Sequence, residues 1–173
     1  MKPSLPRAAA LEVSIAAHEP DSRWRSLIAQ GNVSFRAGHM DEALAFYLDG
    51  FVEAERLLRM AACEAGLTGV DPAEMLVIAA SNAGNVHMDR GNHRKAQETL
   101  QCATALLRAS IKDETAPVEL RMTCVRNMNP AINEVLAHMR RAGAESQAME
   151  EEFKAAKQVA FDCIANLKSK HFH

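Results

Sequence analysis

The chain has 173 residues, 48% hydrophobic and 24% charged, with a net charge of −2. That balance excludes a disordered chain, and it lacks the basic excess by which nucleic-acid binders attract phosphate, so no nucleic acid is expected as partner. No run of about 18 apolar residues occurs, so no membrane span is expected. Aromatic residues make up only 5%, while Ala, Leu and nine Met are plentiful; these side chains, none branched at Cβ, lose little rotamer freedom in helices, and an all-α fold follows.

Residues 1–20 carry Pro3, Pro6 and Pro20 and read as a flexible N-terminal arm, with at most a turn of helix over Ala8–Ala17. Glu12 and Ser14 interrupt its apolar part, so it does not read as a secretory signal, and a cytoplasmic location is expected. A helical domain is expected over 21–168, with a short tail at 169–173. Asp21 or Ser22 offers a side-chain oxygen to cap the first helix, about Trp24 to Ala37, in which Trp24, Leu27, Ile28, Gly31 and Phe35 form one apolar stripe. Gly38 suits the left-handed residue that ends a helix. The second helix begins near Asp41 and, with no breaker between Gly50 and Gly66, runs to about Ala65. Asp71-Pro72 pairs a cap with proline at the first helical position and opens a third helix to about Arg90, closed by Gly91. A fourth covers about Arg94 to Ile111, before a charged loop ending in Pro117. A fifth covers about Val118 to Arg141, where Pro130 removes a backbone donor and predicts a kink or short break near Met128–Asn129. A sixth covers about Glu145 to Leu167.

Two of these helix pairs share a frame. Gly31/Gly84, Asn32/Asn85, Val33/Val86, Gly38/Gly91, Ala43/Ala96 and Gly50/Ala103 each lie 53 residues apart. A degenerate third copy has Gly143 52 residues after Gly91, with Ala148 and Ala155 following at the spacing of Ala96 and Ala103. Small residues at 31, 43 and 50 let two helix axes approach closely, while larger ones beside them fill the gaps. This frame resembles the tetratricopeptide repeat, a helix–turn–helix unit that stacks into a solenoid. The resemblance covers 24–58 and 80–108 well and 133–158 weakly. It departs from the family in its 53-residue period and its long second helices, and the layout is similar to small bacterial repeat proteins of this kind.

The resemblance implies six helices in two clear repeats and one degenerate repeat, with the first helix of each repeat lining a concave groove. It places Arg25, Ile28, Ala29, Asn32, Phe35 and Arg36 on that surface from the first repeat. From the second it places Ile78, Ser81, Asn82, Asn85, Met88 and Asp89, and from the third Asn133, Ala137, Arg140 and Arg141. An asparagine amide at 32 or 85 can hold an extended peptide's backbone with one donor and one acceptor. Relatives that clamp a C-terminal carboxylate add a lysine where Ile28 stands, so that clamp is not expected. The function implied is a non-catalytic adaptor or chaperone-like module for a protein or peptide partner.

Other residues are weaker signals. Cys63, Cys102, Cys124 and Cys163 include no CxxC pair and read as small buried side chains in a reducing compartment. His39, His87 and His93 flank turns without the HxxxH spacing of a metal site, so neither metal nor cofactor is expected. Arg121, Arg126, Arg140 and Arg141 read as a salt-bridged face with Glu145 and Glu150–Glu152, with a basic patch for an acidic partner as the lesser alternative. No nucleophile–base pair or phosphate-binding glycine loop appears, so an enzyme or small-ligand sensor is the lesser alternative. Self-association through the exposed ends of a short solenoid, as a homodimer, is another. Leu11, Val13 and Ile15 of the arm offer an internal ligand for the groove.

Overall fold

A computed structural model of the chain describes residues 19–63 and 69–171, and among them it is all-helical. The helices are α1 (Ser22–Arg36), α2 (Met40–Cys63), α3 (Pro72–Asp89), α4 (His93–Lys112), α5 (Val118–Arg141) and α6 (Ser146–His171). The arm up to residue 18, with Leu11, Val13 and Ile15, lies outside the described residues, as do 64–68 of the second helix end and linker and 172–173 of the tail.

The three tight turns are built alike. Gly38, Gly91 and Gly143 have φ of 80°, 72° and 76°, a left-handed conformation that a Cβ opposes. At the first turn the Gly38 N–H donates to Phe35 O at 3.0 Å and the His39 N–H to Ser34 O at 2.9 Å. The second repeats this pair with Gly91 to Met88 O and Asn92 to His87 O, both 2.8 Å. The third has Gly143 to Arg140 O at 3.1 Å and Ala144 to Met139 O at 2.9 Å. Each set is a Schellman closure, which satisfies the last carbonyls of the helix while the chain reverses. The degenerate third copy therefore shares the turn of the other two.

The resulting helix hairpins, α1–α2, α3–α4 and α5–α6, pack in chain order. Each helix contacts its successor; α3 also packs on α5 and α4 on α6. Small residues make the close contacts: a Cβ at Gly31 would sit 2.5 Å from Tyr47 Cε1, and one at Gly50 would sit 2.9 Å from Ile28 Cδ1. Gly50 also brings α2 to within reach of Ala79 on α3. One hydrophobic cluster runs through all three hairpins, from Ile28 through Leu57, Leu76, Leu107 and Ile132 to Cys163.

Several expectations change. Asp21 stands at the start of α1, but its side chain makes no cap bond; Arg25 Nε, one turn on, donates to its Oδ2 at 2.6 Å instead. Asp71 does cap α3, accepting from the Glu74 N–H at 2.9 Å. The helix α5 spans Val118–Arg141 as expected, without the short break at Pro130, because packing on α3, α4 and α6 holds the segment together on both sides. Cys124 and Cys163 are buried, whereas Cys63 and Cys102 are exposed, their helices turning those positions away from the core.

Nothing lies within 4 Å of a Cβ added at Gly38, Gly91 or Gly143, so alanine there meets no clash and carries only the backbone penalty. Each Gly→Ala variant is expected to lose about 1–2 kcal/mol in urea unfolding. Unchanged stability at all three would contradict the left-handed turns.

Candidate functional site

The central helix α3 is buried on most of its circumference, at Ala73, Leu76, Val77, Ala80, Ala83, Gly84, Val86 and His87 among others. It leaves one stripe open, made of Ile78, Ser81, Asn82, Asn85 and Asp89, which recur at helical spacing. Beside it α5 leaves Asn129, Pro130, Asn133 and Arg140 exposed and Glu134 half-buried. Between the two stripes lies a cleft of about 540 Å³ lined by Val77, Ile78, Ser81, Asn82, Asn129, Pro130, Asn133 and Glu134. Four amides and hydroxyls surround an apolar strip of Val77, Ile78 and Pro130, and Glu134 carries the only formal charge of the lining. Asn127, on the neighbouring face of α5, donates to both carboxylate oxygens of Asp71 at 3.3 Å and ties α5 to the start of α3.

This cleft unites Ser81, Asn82 and Asn133 of the expected groove with Ile78. Asn85, Asp89 and Arg140 lie exposed further along the same two helices. Met88 is half-buried, its Sδ 3.2 Å from His93 Nδ1. The α1 residues stand apart from this lining. Arg25, Ala29, Asn32 and Arg36 are exposed, but Ile28 is only 8% exposed and fills the space over Gly50. Phe35 is half-buried against the core. Both pack against the core from α1. Arg25 is held by Asp21 and Glu19, and Arg36 Nε donates to the Asn32 carbonyl at 3.1 Å. The Asn32 amide oxygen accepts from Tyr47 Oη at 2.8 Å, which leaves its NH₂ free for a ligand carbonyl. Burial pushes the Tyr47 phenol above its ordinary pKa, against the pull of Arg36.

Asn129, Pro130 and Glu134 belong to the site although their sequence positions did not mark them as such. Helical spacing could have found the first two, since they precede Asn133 by four and three residues. Pro130 reads in sequence only as a helix distortion.

Ionised groups elsewhere serve packing. Glu53 is 3% exposed, and hydrogen bonds from Arg56, as short as 2.6 Å, hold its carboxyl below the usual carboxylate range. Arg121 is buried, its Nε donating to Ile111 O at 3.0 Å at the end of α4. It borders a second, smaller pocket of about 210 Å³ with Cys163 and Asn166. Burial raises the Cys124 thiol to about 12, which makes it a poor nucleophile. Among the described residues no three His, Cys, Asp or Glu side chains gather as metal ligands, and no described helix is long and apolar enough to cross a membrane.

The sequence profile of the family described as Protein of unknown function (DUF2753) matches residues 22–171. The chain belongs to that family. The match spans all six helices, so the cleft lies wholly within the family's domain. No curated protein and no solved structure matches the chain.

Behind the cleft, His138 of α5 packs over Gly84 and is 2% exposed, with neither ring nitrogen hydrogen-bonded among the described residues. Desolvation, with Arg141, lowers its pKa against the pull of Glu134; desolvation, with Lys95 and Arg90, lowers that of His87. Both imidazoles are neutral in the fold, while the unfolded chain takes up their protons near the ordinary value of about 6.5. Stability is therefore full above that pH and falls as pH drops from about 6.5 towards the depressed folded values. Urea unfolding at pH 7.5 and 5.5 should show this loss, and His138→Leu should reduce it; an equal loss in the variant would contradict the assignment.

Proposed function

We propose that this protein is a non-catalytic interaction module of tetratricopeptide-like architecture, an adaptor or chaperone-like protein that holds a peptide segment in the α3–α5 cleft. One observation carries this: among the described residues, the open face of the otherwise buried α3 meets a polar face of α5 around a partly exposed aliphatic strip. Such a mixture suits a peptide, whose side chains need apolar contact and whose backbone needs hydrogen-bond partners. The three shared glycine turns and the hairpin packing support the repeat architecture.

Self-association is a second reading, favoured by Phe161, which is 68% exposed on the terminal helix α6. A second copy covering α6 would make the protein a homodimer without using the cleft.

The test is an array of extended ten-residue peptides probed with folded wild-type protein and with two variants. Ile78→Asp places a charge on the apolar strip and should weaken retained peptides about tenfold or more, which corresponds to about 1.4 kcal/mol. Asn32→Ala on α1 should leave them bound. Loss through Asn32→Ala but not Ile78→Asp would move the site to α1; an array that retains nothing would refute peptide binding.

A further inference from the structure

We infer that the α3–α5 cleft takes an extended peptide strand bearing a basic side chain beside an aliphatic one, with Glu134 as counter-charge and the Arg126 carbonyl as a backbone acceptor. The inference rests on the peptide-binding function proposed above and specifies its ligand.

The backbone of α5 supplies the first observation. A helix carbonyl points along the axis at the nitrogen four residues ahead. For Arg126 that nitrogen belongs to Pro130, which has no hydrogen to donate, although the helix continues through it. Pro130 is exposed and lines the cleft, and the carbonyl without its helical donor belongs to the turn of α5 just before it. Asn82 and Asn133 face each other across the same space, each with a donor pair and an acceptor. An extended strand offers unpaired N–H and C=O groups sideways at each residue, about 3.3 Å apart. A helical ligand has already consumed its own backbone groups and would leave these partners unmatched. The polar lining thus selects an extended strand over a helix.

Charge supplies the second. Glu134 is half-buried, and no ion pair among the described residues includes it. The nearest arginines before and after it on its helix, Arg126 and Arg140, stand about 9–12 Å away along the axis. No cation belongs to the lining, so a lysine or arginine of the ligand has Glu134 to itself. Ile78, 36% exposed, then receives the neighbouring aliphatic side chain.

The experiment uses two degenerate nine-residue peptide pools with isoleucine at the centre and either lysine or glutamate two residues on, measured by fluorescence anisotropy on the full chain. Wild type is expected to prefer the lysine pool by about fivefold or more, as for a partly shielded ion pair. Glu134→Lys should reverse the preference, and Glu134→Gln, the milder variant, should abolish it. Pro130→Ala restores the helical donor. It should raise Tm while weakening the lysine pool about three- to tenfold, the worth of one hydrogen bond. Equal binding of both pools, or a preference that survives both Glu134 variants, would overturn the basic side chain and leave peptide binding standing. Unchanged affinity in Pro130→Ala would overturn the carbonyl's role. Binding of neither pool would refute the peptide-binding function itself.

Discussion

The fold depends on a chain reversal made three times by the same two hydrogen bonds across a left-handed glycine. A helix end carries carbonyls that must find donors, and the Schellman closure supplies them from the reversing chain itself. Each second helix is thereby returned onto its first, where small residues such as Gly31 and Gly50 admit the larger Tyr47 and Ile28. The first helices of the second and third hairpins, α3 and α5, also pack on each other. The cleft is the consequence of that pairing.

The helices were largely legible because their ends carry local chemistry. Asp71 and Pro72 announced α3 and Gly91 closed it, and the observed span Pro72–Asp89 differs from the expected one by a residue. Where a local signal had a competitor, the reading failed. Asp21 has the right side chain for a cap, but Arg25 one turn later takes the carboxylate. Of the kink or break that Pro130 led one to expect, the break is absent, because tertiary packing outweighs one missing bond. The exposure of Cys63 and Cys102 depended on which side of α2 and α4 meets the core, which their own neighbours in sequence do not specify.

The candidate site was half legible. The open stripe of α3 followed from helical spacing and the repeat frame, and it holds Ser81, Asn82 and Asn85 as expected. Ile28 and Phe35 shared that register on α1, but a glycine across the helix interface draws Ile28 inward. The other wall, Asn129, Pro130 and Glu134, became visible only once α3 and α5 were known to pack together. That contact spans some fifty residues of sequence. The same proline that looks like a defect in sequence lines the cleft in the structure.

The most direct measurement is a ¹H–¹⁵N correlation spectrum of the labelled chain titrated with the isoleucine–lysine peptide pool, following backbone amides together with the side-chain NH₂ groups of Asn82, Asn129 and Asn133. The account predicts shifts concentrated at residues 77–82 and 129–134, with those three side-chain amides among the most perturbed. Shifts confined to α1, to α6 or to the smaller pocket beside Arg121 would contradict it.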